Sequence, residues 1–77
     1  MKLWEYTNKR LKITDVNGKI HTGIGDHYTS ELDSPEGVAT LSLDPDGRDD
    51  IYIEFEESEI LKIEILPAEV PILAEAI

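Results

Sequence analysis

Hydrophobic and polar residues alternate in five short runs along the chain. A period of two is typical of half-buried β-strands, in which successive side chains point to opposite faces of the sheet. The predicted strands cover residues 10–16, 19–28, 38–43, 51–55 and 60–66. No run has the spacing or the length of a long amphipathic helix. We therefore predict a mostly β protein.

Turn-forming residues mark the connections between these runs. Asn17-Gly18 predicts a tight turn after the first run, because both residues tolerate a positive φ angle. Gly23 and Gly25 interrupt one face of the second run, which indicates a sharp bend, a bulge or a close backbone approach. A proline excludes a central strand from the acidic segment 30–37, which we interpret as an exposed loop. Five short strands, one of them bent, predict a small, strongly bent barrel.

The two ends of the sequence differ from the strand pattern. Residues 3–8 predict a short helical turn in which Trp4 and Tyr6 cap the core. Residues 67–77 contain two prolines and several apolar side chains. We expect this tail to pack on the barrel or on a neighbouring subunit. The predicted organisation is thus one barrel domain, residues 1–66, followed by a Pro-containing apolar C-terminal tail.

Charge is distributed unevenly along the chain. The 77 residues include 17 acidic and 7 basic side chains, which gives a net charge of −10. Residues 1–30 carry five basic and three acidic groups, whereas residues 31–77 carry two basic and 14 acidic groups. The second segment repels phosphate backbones over about a Debye length. Solubility alone would account for the acidity, but the same charge disfavours a nucleic-acid ligand.

The chain contains no cysteine, so it offers neither disulfides nor thiolate zinc ligands. This composition fits a reducing compartment. The N-terminal residues include no apolar run of signal-peptide length, and no stretch approaches the roughly 20 apolar residues of a membrane span. We expect an unprocessed cytoplasmic protein without a membrane partner.

The titratable residues do not suggest a catalytic or metal site. Adjacent carboxylates such as Asp49-Asp50 would point to opposite faces of a strand. His21 and His27 lack a third ligand at a suitable spacing, and we interpret both as surface or rim residues. The aspartate-rich segment 44–50 lacks the residue order of a calcium-binding loop. We predict no enzymatic activity, no metal and no cofactor.

Four glutamates lie within six residues at the end of the fourth run. They are Glu54, Glu56, Glu57 and Glu59. Like charges at this spacing repel one another unless solvent or a cationic partner surrounds them. One interpretation is an exposed sheet edge that charge protects against aggregation. The other is a docking face for a basic protein, or an imitation of the charge of nucleic acid.

Two motifs resemble the signatures of the Sm-like (LSm) family, in the expected order and separation. The first is Asn17-Gly18-Lys19-x-x-x-Gly23-Ile24 with the downstream aromatic residue Tyr28. The second is Phe55-Glu56-Glu57-Ser58-Glu59-Ile60-x-x-Ile63. The resemblance covers about residues 3–66 and extends to a group of small acidic Sm-like proteins of Firmicutes with a Pro-Glu-Gly loop at this position. It implies an SH3-like or Sm-like barrel.

The resemblance also implies a position for an RNA site. Leu32-Asp33 stands where the family usually has a Met-Asn pair, and Glu56-Glu57 stands where it usually has Arg-Gly. The implied RNA site comprises His27, Tyr28, Asp33, Glu56 and Glu57. Its aromatic rings could stack on bases of any sequence. The charge of the site is reversed, because Glu56-Glu57 replaces the Arg-Gly of the family.

Family members assemble into rings, which here would pair residues 51–55 of one copy with residues 60–66 of the next. The implied interface comprises Ile51, Ile53 and Phe55, on one face of the fourth run, and Leu61, Ile63 and Ile65, on one face of the fifth. We predict a homo-oligomeric, non-enzymatic binding or assembly module of a bacterial cytoplasm, with a basic protein as partner and no small-molecule substrate. The alternatives are an RNA-binding Sm-like protein with an acidified site, and an acidic decoy of a basic nucleic-acid-binding protein.

Overall fold

The computed structural model describes residues 2–47 and 50–67. These residues form five strands in the order predicted from the sequence: β1 (Arg10–Asp15), β2 (Ile20–Thr29), β3 (Thr40–Pro45), β4 (Ile53–Glu56) and β5 (Ile60–Ile65). One 3₁₀ turn, Leu3–Tyr6, precedes β1, and a second, Glu57–Glu59, connects β4 to β5. The prediction of a mostly β protein with a short N-terminal helical turn is confirmed.

All five strands belong to one antiparallel sheet, in the order β4-β3-β2-β1-β5. β4 and β5 lie at opposite edges of the sheet, although only the three residues Glu57–Glu59 connect them. Opposite edges of a flat sheet of this size would be about 19 Å apart. The chain from Glu56 to Ile60 can span at most about 14 Å. At this end the two edge strands therefore lie closer together than a flat sheet would allow.

The glycines of β2 allow other backbone segments to approach the strand closely. The register between β2 and β3 shifts between Gly25 and His27. The N–H of Asn8 donates to the carbonyl of Gly25 at 2.7 Å, and the N–H of Gly25 donates to the carbonyl of Lys9 at 2.9 Å. A Cβ atom at Gly25 would overlap the carbonyl oxygen of Tyr6. Both the bulge and the close approach predicted from these glycines are present.

The core draws side chains from the N-terminal turn and from four strands. Its buried hydrophobic members are Leu3, Leu11, Ile13, Leu41, Leu43, Phe55 and Ile60. Tyr6 also packs against this cluster. It lies on the same side of the 3₁₀ turn as the buried Leu3, because residues three apart in a 3₁₀ helix are aligned. Trp4 lies on another side and is 54% exposed. The prediction that Trp4 caps the core is wrong; its ring packs edge-on against Tyr28, with 6.0 Å between ring centroids.

A second register shift interrupts the pairing of β1 with β5. Ile63 and Ile65 face buried residues of β1 and lie on the core side of the sheet. Leu61 lies within the shift and is 66% exposed. The period-of-two pattern placed these three side chains on one face, and this is wrong for Leu61 because the extra residue turns it outward.

Residues 68–77, which hold most of the predicted apolar tail, lie outside the described residues, as do Arg48 and Asp49. The packing of the tail stays a prediction. Within the two described ranges, no helix has the length and apolar character needed to cross a membrane.

Candidate functional site

An open groove lies between the loop after β2, the start of β3 and the second 3₁₀ turn. Its volume is about 710 Å³. Its lining residues are Glu31, Gly37, Val38, Ala39, Glu56, Glu57, Ser58 and Ile60. We call it the acidic groove, because the charged residues among these eight are all glutamates.

The lining of the acidic groove combines aliphatic side chains with carboxylates. Val38, Ala39 and Ile60 supply the aliphatic part, and Ile60 is 6% exposed. The three glutamates supply carboxylate oxygens, which accept hydrogen bonds. Lysine and arginine side chains match this arrangement, since each carries a long apolar stem and a cationic head. The groove is thus chemically suited to a basic side chain.

The second 3₁₀ turn positions the glutamates of the groove. Glu56 and Glu59 form a reciprocal capping box, in which each carboxylate accepts a hydrogen bond from the backbone N–H of the other residue. The bond from the N–H of Glu56 to Oε1 of Glu59 is 2.8 Å long. The N–H of Glu57 donates to the carbonyl of Ala39 at 3.3 Å, which ties the turn to the start of β3. Two members of the acidic run therefore hold the local backbone in shape.

The predicted docking face is divided between two surfaces. Glu56 and Glu57 line the acidic groove, whereas Glu54 and Glu59 line a separate cavity of about 220 Å³. The second cavity also includes Asp15, His21 and Phe55, among others. The four glutamates therefore do not lie in one cavity.

A hydrogen-bonded pair, Asp15 and His21, lies at the second cavity. Nε2 of His21 and Oδ2 of Asp15 are 3.0 Å apart, and these side chains are only 12% and 16% exposed, respectively. The His21 ring also packs edge-on against Phe55, with 5.1 Å between centroids. The prediction that His21 is a surface or rim residue is wrong, because it shares the inner side of β2 with the two buried glycines. His27 is exposed.

Asp15 also organises the turn between β1 and β2. Its Oδ1 atom accepts hydrogen bonds from the N–H groups of Asn17 (2.9 Å) and Lys19 (3.0 Å). The hydrogen bond with His21, followed by those with the two N–H groups, holds the pKa of Asp15 below its ordinary value of 3.8. These donors favour the ionised carboxylate.

Acid should destabilise the fold partly through Asp15. Because the pKa of Asp15 is lower in the folded chain, its ionised form contributes stability that is lost as the pH falls through the folded pKa. Asp46 acts in the same direction, since hydrogen bonds from Arg10 and then Thr22 lower its pKa. We expect Asp15→Asn to flatten the decrease in the free energy of unfolding between about pH 5 and about pH 2. Urea denaturation at a series of pH values measures this; parallel curves for the two proteins would contradict it.

The residues of the implied RNA site occupy different environments. Tyr28 is half-buried and packs on the core and on Trp4. His27 is the preceding residue of the same strand, so its side chain points to the opposite face. Asp33 lies in a turn where its N–H donates to the carbonyl of Ser30 at 3.1 Å. None of these three lines the acidic groove as described, and their role in binding RNA stays a prediction.

The implied ring interface lies on the two edge strands of the sheet. On the β4 side, Phe55 is buried and Ile53 is half-buried, whereas Ile51 precedes the strand and is 37% exposed. On the β5 side, Leu61 and Ile65 are exposed and Ile63 packs against the core. The ring itself stays a prediction.

The sequence alone did not reveal either cavity as a unit. Glu31, Val38 and Ala39 join Glu56 and Glu57 only through folding of the chain. The pairing of Asp15 with His21 likewise depends on the β1–β2 hairpin, although an aspartate two residues before Asn-Gly is a common turn signal. Within the described residues, no group of three carboxylate or imidazole side chains could hold a metal ion together.

Comparison with protein-family models, with curated proteins and with solved structures gives no match to this chain.

Proposed function

We propose that the chain is a non-enzymatic, Sm-like interaction module whose acidic groove binds a basic segment of a partner protein. The strand order β4-β3-β2-β1-β5, the bulged β2 and the short 3₁₀ connection between the edge strands support the fold part of this proposal. These features suit the SH3-like or Sm-like barrel that the two sequence motifs imply.

The composition of the acidic groove carries the binding part of the proposal. Three glutamates and three aliphatic residues line the groove, and the described lining contains no basic residue. A lysine or arginine side chain can lay its stem on Val38 and Ala39 and direct its head group to the carboxylates. The net charge of −10 also attracts a cationic partner at long range and raises its association rate.

A single-stranded RNA fits the same surface poorly. Glu56 and Glu57 place negative charge where a phosphate would approach. The ring of Tyr28 already contacts Trp4 and the core. An acidic decoy would use the acidic groove as well, with a nucleic-acid-binding protein as the basic partner. The decoy is therefore a special case of the same proposal.

The test measures the affinity of a lysine- and arginine-rich peptide by isothermal titration calorimetry at low salt. We expect the double substitution Glu31→Gln and Glu57→Gln to weaken binding by about 3- to 10-fold, since two carboxylates leave the groove. These two positions lie outside the capping box that Glu56 and Glu59 form.

A matched control substitutes two exposed acids outside the groove, Glu5→Gln and Asp26→Asn. Both double variants change the net charge from −10 to −8, and the control should lose little affinity. Equal losses would show that only total charge matters. Tight binding of U-rich or A-rich single-stranded RNA under the same conditions would favour the RNA alternative instead.

A further inference from the structure

β5 forms one edge of the sheet, and no strand of the described residues lies on its outer side. The N–H of Leu66 donates to the carbonyl oxygen of Arg10 at 2.8 Å, on the side of β1. Backbone groups alternate in direction along an antiparallel strand. The N–H and C=O groups of Ile63 and Ile65 therefore point away from β1 and form a surface that can pair with another strand.

The side chains along this edge are partly apolar and electrically balanced. Leu61 is 66% exposed and Ile65 is 53% exposed. Lys62 and Glu64 lie on the outer face, with 3.9 Å between Nζ and Oε1. β5 thus has a net charge of zero in a chain of net charge −10. A second copy of the chain meets little electrostatic repulsion at this strand.

We propose that β5 pairs with β5 of a second copy about a two-fold axis, in an antiparallel register centred on Ile63. The sequence Ile-Leu-Lys-Ile-Glu-Ile is complementary to itself in this register. Ile63 faces its own counterpart across the two-fold axis. Lys62 of each copy faces Glu64 of the other, so that two cross-strand ion pairs form on one face. Opposite charges directly across a ladder stabilise an antiparallel pair, and like charges destabilise it.

The backbone geometry agrees with this register. Two residues that face each other at a hydrogen-bonded position exchange both of their N–H···O=C bonds. The outward N–H and C=O of Ile63 supply this reciprocal pair at the centre. The two-fold axis repeats the bonds on both sides, as an isologous interface requires. The resulting dimer contains one continuous sheet of two copies.

Pairing through β4 gives a poorer charge match. β4 has only four residues, and its charged side chains, Glu54 and Glu56, are both acidic. Two β4 strands would place like charges together. Pairing β4 of one copy with β5 of the other would bring Glu54 and Glu56 close to Lys62 and Glu64. Three acidic side chains would then lie near a single basic one. The proposed dimer is independent of the acidic groove, so either inference can fail alone.

Light scattering on the full chain, from low micromolar to millimolar protein, tests the proposal. We expect a dimer of about 17.4 kDa, twice the chain mass of 8.7 kDa. Glu64→Lys should raise the dimer dissociation constant about tenfold or more, although it reduces the net charge from −10 to −8. Lys62→Glu should weaken the dimer similarly. The double substitution Lys62→Glu and Glu64→Lys should restore it.

Glu36→Lys is the matched control, because it makes the same change in net charge in an exposed loop. It should not weaken the dimer, whereas an effect of total charge alone would strengthen association for both Glu64→Lys and Glu36→Lys. Circular dichroism verifies that each variant is folded. A monomer at every concentration, a larger assembly, or a double variant that fails to restore the dimer overturns the proposal. A chain that is monomeric at full length but dimerises when residues 68–77 are removed would also overturn the proposal, because the chain's own tail would then occupy the edge of β5.

Discussion

Replacing Gly25 with alanine should destabilise the protein by about 3 kcal/mol or more, which is a large fraction of the stability of a chain of this length. A Cβ atom at this position would overlap the carbonyl oxygen of Tyr6 and lie 3.0 Å from Cδ1 of Leu11. The Tyr6 carbonyl belongs to the backbone and cannot rotate away as a side chain could. Two hydrogen bonds between Gly25 and the segment Asn8–Lys9 fix the two backbones together, so relief of the overlap would break them.

Urea denaturation of Gly25→Ala measures this effect. The control is Gly18→Asn, because Gly18 has a φ of +85° with no atom within 4 Å of the added Cβ, and asparagine tolerates this backbone region. We expect the control to lose less than about 1 kcal/mol. Similar small losses for both variants would mean that the N-terminal turn does not pack on β2 as described.

The second large effect is expected at Leu41. Leu41 is fully buried, and its backbone pairs with Tyr28 on one side and Phe55 on the other. Leu41→Ala should lower the free energy of unfolding by about 2 to 5 kcal/mol, through lost burial and the cavity that remains. The total free energy of unfolding of a 77-residue chain is roughly 4 to 12 kcal/mol. The loss expected from this one substitution is therefore a large fraction of the total.

Leu32→Ala is the matched control for Leu41→Ala, because it makes the same chemical change at a side chain that is 96% exposed. We expect it to change the free energy of unfolding by less than about 0.5 kcal/mol. Thermal and urea unfolding of both variants measure the difference. Comparable losses at the two positions would place Leu32 in a packed environment and contradict the assignment of the core.

The sequence predicted the strands well wherever one face of a strand is buried by side chains. In β1, Leu11 and Ile13 alternate with Lys12 and Thr14, and both apolar residues are fully buried. β4 shows the limit of this signal, because it begins at Ile53 and not at Ile51. The pairing between β3 and β4 ends at the pair Leu43 and Ile53. The start of an edge strand depends on its partner, which a local pattern does not contain.

β2 could not be interpreted from hydrophobicity alone. Ile20 and Ile24 are 55% and 41% exposed, whereas Gly23 and Gly25 are buried. Backbone atoms of neighbouring segments lie close against the inner side of β2. Glycine fits at these positions, whereas a large apolar side chain would not. His21 lies on this inner side, which explains why its environment was mispredicted. The bulge that turns Leu61 outward also arises from pairing and has no local sequence signal.

The acidic groove was predicted only in part. The run of glutamates identified Glu56 and Glu57, since four like charges at close spacing are unusual. Glu31 is remote in sequence, and it joins them because the loop after β2 returns past the start of β3. The reciprocal cap of Glu56 and Glu59 matches the spacing of a capping box, yet the pattern of charge alone suggested a single docking face.

The most direct test of the proposed function is an NMR titration that follows the backbone amides of the full chain as a lysine- and arginine-rich peptide is added. We expect the largest chemical-shift changes at Gly37, Ala39 and Ser58, which line the acidic groove. Asn17 and Lys19, in the turn at the other cavity, should change little. Changes that concentrate around that turn, or that spread evenly over all acidic surfaces, would contradict the acidic groove as the binding site.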